Sequence, residues 1–152
     1  MRINNLILNN KMKVRPYNSN TDYSQVEALY QSPNTFGGQF DKARDAKNRI
    51  DILAEKKPDC ILVAESDEMI VGTVTLFEDG RSAWLYRFAV QKENELEIAS
   101  KLWEEAKATM KKLGHSQVLV YAPAGNMDFQ NRYTFLGFTK GDDYTAYWQD
   151  IL

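Results

Sequence analysis

The sequence has a single cysteine, Cys60, and a single histidine, His115, among its 152 residues. One cysteine cannot form an intramolecular disulfide, and one cysteine with one histidine cannot build an ordinary zinc site. We therefore expect no metal, and the scarcity of cysteine agrees with a reducing, cytoplasmic location. Cys60 begins an apolar run and is expected to be a small core residue. His115 follows a glycine at the expected end of a helix, where a helix-end or surface role is expected rather than catalysis or metal binding.

Long apolar runs and an excess of positive charge are also missing. No apolar stretch approaches the roughly 20 residues of a membrane-spanning helix, and residues 1–12 lack the apolar core of a secretory signal. The formal net charge is −2 and the basic residues form no stripe. We therefore predict no membrane and no nucleic-acid partner. Residues 1–12 are expected to be a lead-in, and residues 13–152 one domain.

The apolar pattern predicts a mixed α/β fold that begins with a short edge strand at Lys13. Asp22 and Gln25 resemble a capping box that opens a helix, and helical spacing recurs over 41–57, after a loop over 34–38. Three strands in a meander follow, with turns at Asp67-Glu68 and Asp79-Gly80; the second turn is expected to be type I′. The strands are predicted over 60–64, 69–77 and 83–90.

The second half of the chain is predicted to hold a long helix, a strand, a short helix and a last strand. The long helix begins at Asn94, with Glu97 completing a capping-box-like pair, and stops at Gly114. A strand–helix–strand crossover of this length implies that the fourth and fifth strands lie parallel. The remaining elements are predicted over 118–121, 128–136 and 144–148.

The most specific spacing lies near the C-terminus. Tyr133 follows Asn126 by seven residues, and Gly137-Phe138 follow the tyrosine by four and five. With this spacing and element order, the chain resembles the GNAT superfamily of N-acetyltransferases over roughly Lys13 to Leu152. The resemblance implies the GNAT fold, a mixed central sheet of an antiparallel meander plus a parallel pair, flanked by helices. Further matching positions are Arg15-Pro16, Val71-Gly72 and Ala89-Val90.

The resemblance also implies a reaction, the transfer of an acetyl group from acetyl-coenzyme A to the amine of a small-molecule or peptide acceptor. Tyr133 resembles the general acid that protonates the departing thiolate, a task that a phenol can perform at neutral pH. Asn126 would contact the cofactor. Backbone groups of Phe88 and Val90 would pair with the pantetheine arm like an added strand, and an N–H near Val90 would polarise the thioester carbonyl. A homodimer stays open.

The loop after the fourth strand departs from the family. The family usually has Arg/Gln-x-x-Gly-x-Gly/Ala here, whose backbone N–H groups cradle the pyrophosphate of coenzyme A at a helix N-terminus. This chain has no glycine between Gly80 and Gly114, and two acids, Glu95 and Glu97, bring negative charge that costs about a kcal/mol or more. Lys92 and Lys101 would partly offset that charge. The residues of this loop predicted to bind the cofactor are Ile98, Ala99, Ser100 and Lys101.

Several residues have plainer alternative interpretations. Tyr133 could pack on the sheet, Asn126 could be a turn residue, and Glu97 suits a helix cap better than catalysis. Arg87 is expected to pair with a carboxylate rather than with a substrate. Three acids near the central strands could help to take a proton from an amine through water, and none of them has a firm assignment: Glu65, Glu78 and Asp79.

Two other functions remain compatible with the sequence. The altered phosphate loop would suit a GNAT-fold protein that binds a ligand or partner without catalysis. It would also suit an acyltransferase with a smaller or different acyl donor. The residues alone do not identify the acceptor.

Overall fold

A computed structural model describes residues 11–152. The chain divides into two compact units, of which the first ends at Val120 and the second spans Tyr121–Leu152. The predicted lead-in, residues 1–12, lies outside the described residues except for its last two positions. Of these, Met12 is buried and begins the first strand.

The first unit is built around a five-stranded antiparallel sheet, counted over the described residues, with strand order β1-β3-β4-β5-β2. Its strands are β1 (Met12–Pro16), β2 (Thr35–Phe36), β3 (Ile61–Ser66), β4 (Met69–Glu78) and β5 (Ala83–Gln91). Among the described residues of this unit, the helices are α1 (Tyr23–Gln31), α2 (Lys47–Lys56) and α3 (Glu95–Lys112), and the second unit contains α4 (Met127–Phe135).

The predicted meander is confirmed, since β3, β4 and β5 pair in succession as antiparallel strands. Asp67 and Glu68 both have positive φ, 51° and 65°, as a tight type I′ turn requires. The type I′ prediction for the next turn was wrong, because only Gly80 of its two central residues has positive φ. There the Asp79 side chain shapes the loop by accepting the N–H groups of Arg81 and Ser82 at 3.0 and 2.9 Å.

The two predicted C-terminal strands are absent from the described residues. The 118–121 segment makes one isolated parallel bridge, in which Leu119 lies opposite Trp84. Because Leu119 is 37% exposed and is the only residue of its segment in the ladder, the predicted parallel strand pair does not form, and the sheet is antiparallel. The 144–148 segment has no strand pairing, and its aromatic side chains are exposed.

The second predicted helix is shorter than expected, and the preceding loop contains a strand. Residues 41–45 form turns because Asp41 Oδ1 accepts the N–H groups of Ala43 and Arg44 at 3.0 and 2.8 Å, and Asp45 Oδ2 accepts the N–H of Asp41 at 2.8 Å. These side-chain bonds compete with helix formation, so α2 starts only at Lys47. In the predicted 34–38 loop, the two residues of β2 pair with the end of β5.

Neither predicted capping box forms. Asp22 holds the N-cap position of α1 without a side-chain cap bond, and Gln25 Oε1 instead accepts the N–H of Ile70 on β4 at 2.8 Å. Asn94, the N-cap of α3, has a left-handed backbone and no side-chain cap bond. At α1, Asp22 and Gln25 bond to Arg15 and Ile70 in other elements instead of forming the local cap.

The core of the first unit includes a cluster in which α1 and α2 pack with the sheet. Cys60 is part of it, as predicted, and burial raises the pKa of its thiol to about 11, so the thiol is protonated at neutral pH. The predicted inward face of α1 is confirmed. Its members within the cluster are Val26, Leu29 and Tyr30.

Gly72 on β4 permits close packing of α3. A Cβ built at this position would lie 2.7 Å from Ile98 Cγ2, 2.9 Å from Val90 Cγ1 and 3.0 Å from Leu102 Cδ1. Residue 72 of β4 therefore faces α3. Since side chains alternate along a strand, Thr75 and Phe77 face the opposite side of the sheet.

We expect Gly72→Ala to lower the free energy of unfolding by about 1–3 kcal/mol, because the new methyl group overpacks the α3 interface. Gly141→Ala is the matched control, since a Cβ there meets no atom within 4 Å. Urea unfolding followed by circular dichroism measures both variants. A Gly72→Ala protein as stable as the control would contradict this packing.

Arg15 of β1 links three elements of the first unit through ion pairs. Its guanidinium donates to both carboxylate oxygens of Asp22, at 2.6 and 3.0 Å, and to Glu65 Oε2 on β3 at 2.9 Å. Burial alone would raise the pKa of Asp22, but the bonds from Arg15 and from the Asn18 N–H outweigh it and hold that pKa below its usual value.

This lowered pKa gives a stability effect with a defined sign. Asp22 stabilises the fold fully above the pKa it has in the unfolded chain, near 3.8, and loses that contribution as the pH falls through its lower pKa in the folded protein. At pH 7 we expect Asp22→Asn to cost about 1.5–3 kcal/mol of unfolding free energy. The difference from wild type should shrink in urea titrations run toward pH 3. A constant difference would contradict the assignment.

Candidate active site

A β-bulge interrupts β5 at Arg87. Thr73 of β4 lies opposite Ala89, whereas Thr75 lies opposite Tyr86, so two residues of β5 face one residue of β4. Arg87 has a left-handed backbone, with φ of 49°, which is uncommon for a residue with a side chain. A bulge of this kind turns backbone groups out of the regular ladder and is frequent beside functional sites.

The edge of β5 that does not pair with β4 has one partner before the bulge and a different partner after it. Before the bulge, Leu119 donates its N–H to Ala83 O and accepts the N–H of Leu85, each at 2.9 Å. After the bulge, Val90 and Gln91 pair with β2. The partner of this edge therefore changes along the strand, with the bulge between the two pairings.

Phe88 and Val90, both predicted to bind the cofactor through their backbones, lie at and after the bulge. Their side chains are buried, as expected for ordinary core residues. Val90 is paired with Phe36 of β2 in the sheet. Any contact of these residues with a ligand would therefore come from the main chain.

The bulge is fixed by a buried ion pair. Arg87 donates from Nε and Nη2 to the two oxygens of Asp45, at 3.0 and 2.8 Å, and from Nη1 to Gln39 Oε1 at 2.6 Å. The side chains of Arg87 and Asp45 are only 6% and 4% exposed. The guanidinium also lies over the ring of Tyr86, 4.7 Å from its centre. The prediction that Arg87 pairs with a carboxylate is confirmed.

A cavity of about 530 Å³ lies beside the bulge, within the first unit. Residues of α1, α2, the turns before α2 and strands β3, β4 and β5 line it. Thr75 and Phe77 belong to the lining, so the cavity is on the sheet face opposite α3. Tyr86 and Arg87 line it as well and connect it to the bulge.

The N-terminal end of α3 combines a backbone that suits an anion with side chains that oppose one. The first-turn N–H groups of α3 belong to Glu95, Leu96 and Glu97, and that of Glu95 donates to Lys92 O at 3.3 Å. Two of these residues carry carboxylates, and Glu97 Oε2 is buried without a hydrogen-bond partner among the residues described. A glycine-rich pyrophosphate cradle is therefore not reproduced here. The dipole of α3 favours phosphate, and its acids disfavour it.

The other predicted residues of this loop divide into two groups. Ile98 and Ala99 are fully buried, and the Ile98 N–H already donates to Asn94 O at 3.1 Å. Their side chains cannot line a ligand site at the surface. Ser100 and Lys101 are half-buried, and Lys101 lies one turn after Glu97 on the same face of α3.

In the second unit, Asn126 and Tyr133 have defined local roles. Asn126 is the N-cap of α4, and its Oδ1 accepts the N–H groups of Asp128 and Phe129 at 3.1 and 3.3 Å. Tyr133 is 9% exposed, and its ring meets Phe138 edge to face at 5.4 Å. The interpretation of Asn126 as a turn and cap residue is confirmed, while its contact with a cofactor stays a prediction.

The Tyr-x-x-x-Gly-Phe spacing has a structural explanation in the C-terminal cap of α4. Gly137 has φ of 87°, its N–H donates to Thr134 O at 3.1 Å, and the N–H of Phe138 donates to Tyr133 O at 2.9 Å. These two bonds and the contact of Phe138 with Tyr133 form a Schellman motif. The spacing that defined the resemblance thus fixes Tyr133 at the end of its helix.

The acids considered as proton acceptors are engaged in ion pairs. The Arg15 guanidinium lowers the pKa of Glu65, and Arg81 lowers that of Asp79. His115 Nε2 lies 3.0 Å from Glu78 Oε2, and this contact, with Lys57, lowers the pKa of Glu78. His115 follows the Gly114 stop of α3, so the expected helix-end role is confirmed.

The bulge at Arg87 and the identity of the carboxylate that pairs with Arg87 had no signal in the sequence. Neither the bulge at Arg87 nor the Asp45–Arg87 pair, 42 residues apart, follows from local patterns.

The described residues hold no cluster of three or more potential metal ligands from His, Cys, Asp and Glu. Among the helices of residues 11–152, none is long and apolar enough to cross a membrane.

Comparison with known proteins identifies the family. Residues 23–138 match the sequence model of the Acetyltransferase (GNAT) family. This match covers well over half of the chain, so the protein belongs to that family of enzymes, whose acyl donor is acetyl-coenzyme A. No curated protein matches the sequence significantly.

Solved structures with the same fold include Ard1 and two N-acetyltransferases. Ard1 from Thermoplasma volcanium has a TM-score of 0.70 and 16% identity over 87% of this chain and 85% of that one. Glucosamine-6-phosphate N-acetyltransferase from Arabidopsis thaliana has a TM-score of 0.68 and 16% identity over 91% and 99%. The PaiA N-acetyltransferase from Thermoplasma acidophilum, solved with coenzyme A, has a TM-score of 0.63 and 21% identity over 81% and 87%. At these identities the likeness concerns the fold.

Proposed function

We propose that the protein is an acetyl-coenzyme A-dependent N-acetyltransferase that acts on the amine of a small molecule or peptide. The observation that carries this proposal is the bulge at Arg87, which lies between the two pairings of the β5 edge. Main-chain groups of β5 near Phe88, between the Leu119 bridge and the pairing of Val90 with β2, would receive the pantetheine arm as an added strand. Acetyl-coenzyme A supplies the acetyl group as a thioester.

Tyr133 is proposed as the general acid. Its phenol would give a proton to the sulfur that leaves with coenzyme A, and a buried phenol held by a helix cap suits that task because its orientation is restricted. The support is the low exposure of the ring and its edge-to-face contact with Phe138. Asn126 would contribute its side-chain NH₂, since its side-chain oxygen caps α4.

At the start of α3 we propose that charge, rather than glycine, sets the affinity for phosphate. Ile98 and Ala99 would contribute through their main chain alone, and Ser100 and Lys101 through side chains on the half-buried part of the helix. Lys101 would favour phosphate, and the carboxylate of Glu97, whose Oε2 is buried without a hydrogen-bond partner among the described residues, would oppose it.

A calorimetric titration with acetyl-coenzyme A tests this proposal. We expect saturable binding by the wild type, weaker binding by Lys101→Ala and tighter binding by Glu97→Gln, each by several-fold for a partly exposed charge. Lys111→Ala, at the far end of α3, is the matched control and should bind as the wild type does.

Absence of binding at millimolar acetyl-coenzyme A would contradict the proposal and would favour a ligand-binding role without catalysis. If Glu97→Gln leaves the affinity unchanged, the phosphate groups do not lie at the start of α3. A truncated pantetheine thioester that binds as tightly as acetyl-coenzyme A would indicate a smaller natural donor.

A further inference from the structure

The cavity beside the bulge has an excess of positive charge, although the whole chain is net negative. Three arginines and a single aspartate, Asp45, are among its lining residues. Arg87 is neutralised, because Asp45 and Gln39 accept hydrogen bonds from all parts of its guanidinium. No carboxylate of the lining pairs with Arg44 or Arg49, so the lining keeps the positive charge of these two guanidinium groups.

Arg44 and Arg49 stand on the exposed part of the cavity lining. Over residues 11–152, neither guanidinium takes part in an ion pair or hydrogen bond. Two guanidinium groups outside any ion pair, at the rim of a cavity, suit the recognition of a carboxylate or phosphate, since each group offers several N–H donors in a fixed plane.

The acids near these arginines in sequence are engaged by other groups. Asp41 Oδ1 accepts the backbone N–H groups of Ala43 and Arg44, and these bonds, with the nearby charge of Arg44 as a smaller cause, lower the pKa of the Asp41 carboxyl. Asp41 forms no ion pair with the Arg44 guanidinium among the described residues. Asp51 accepts the hydroxyl of Tyr17 at 2.8 Å and pairs with Lys47. The first turn of α2 contains no acid. Among the described residues, no carboxylate therefore forms an ion pair with Arg44 or Arg49 at the position that a ligand would take.

The other wall of the cavity is aromatic. Phe77 and Tyr86 lie side by side on β4 and β5, with stacked rings whose centres are 4.9 Å apart. Phe77 is 45% exposed, which leaves apolar surface for a ligand to cover. A volume of about 530 Å³ is in the usual range for a small-molecule site.

We propose that this cavity binds the acceptor and that the acceptor is an amine carrying an anionic group, a carboxylate or a phosphate, held by Arg44 and Arg49. Its apolar part would pack on Phe77 and Tyr86, which brings it beside the bulge. The role as acceptor site rests on the proposed function, whereas the preference for anions rests on the lining alone.

Binding of matched amines, measured by calorimetry with and without saturating coenzyme A, tests this inference. One pair is phenylalanine and phenylalaninamide, and the other is phosphoethanolamine and ethanolamine. In at least one pair, we expect the member that carries a carboxylate or phosphate to bind about tenfold more tightly than the member without it. The double variant Arg44→Gln/Arg49→Gln should lose that preference. Lys111→Gln/Lys112→Gln removes the same charge from exposed positions on α3 and should keep it.

Equal affinity within both pairs, or a preference that survives the loss of both arginines, would overturn the inference. A preference confined to one pair identifies the anion as carboxylate or phosphate. If anionic amines bind through the arginines but acetyl-coenzyme A acetylates none of them, the cavity assignment holds and the proposed function fails. If amines without a carboxylate or phosphate are acetylated as readily as amines that carry one, the proposed function holds and the cavity assignment fails.

Discussion

Replacing Tyr133 by phenylalanine is expected to lower kcat by about 10²- to 10⁴-fold, the range that a positioned general acid contributes. The substitution removes the hydroxyl and keeps the ring. The edge-to-face contact with Phe138 and the C-terminal cap of α4 should therefore persist, and the affinity for acetyl-coenzyme A should change little. The steady-state rate of coenzyme A thiol release, measured with an amine that the wild-type enzyme acetylates, gives kcat.

Tyr121→Phe, at an exposed tyrosine of the same unit, is the matched control and should retain wild-type kcat. Circular dichroism and unfolding curves establish that both variants are folded. A Tyr133→Phe enzyme with undiminished kcat would show that this phenol only packs, which is the plainer interpretation of its position.

Neutralising Asp45 is expected to give the largest loss of stability of any conservative change in the first unit. Asp45→Asn keeps the shape of the side chain but leaves the buried guanidinium of Arg87 without a counter-charge, which costs about 3–5 kcal/mol. Because this pair fixes the bulge in β5, catalytic activity should fall as well. Urea unfolding at neutral pH measures the loss.

Two comparisons separate the buried pair from charge effects in general. Glu104→Gln breaks the exposed Glu104–Lys107 pair and should cost less than about 1 kcal/mol. The double variant Asp45→Asn/Arg87→Met removes both charges and should recover part of the stability lost in Asp45→Asn. A loss in Asp45→Asn no larger than in Glu104→Gln would contradict the role of the pair.

The sequence predicted best those elements whose signals are local. The meander followed from apolar runs and turn residues, and the stop at Gly114 reflects a left-handed position that glycine tolerates. The core face of α1 followed from helical periodicity. These features depend on neighbours within a few residues, so the one-dimensional pattern contains them.

The failures have a common physical cause in partners distant along the chain. Asp22 resembled a local cap but pairs with Arg15, and Gln25 bonds to β4. The apolar 118–121 segment resembled an interior strand, yet it supplies one bridge at Leu119. The sequence identified the altered start of α3, whereas the bulge at Arg87 could not be predicted because it arises from register between two strands.

The most direct test of the account is acetyl transfer from isotopically labelled acetyl-coenzyme A, followed by mass spectrometry of a panel of amines with and without anionic groups. The account predicts labelled N-acetyl product from at least one amine, faster for acceptors with a carboxylate or phosphate, and a rate reduced about 10²-fold or more by Tyr133→Phe. No labelled product from any amine, with protein that is folded and binds acetyl-coenzyme A, would contradict it.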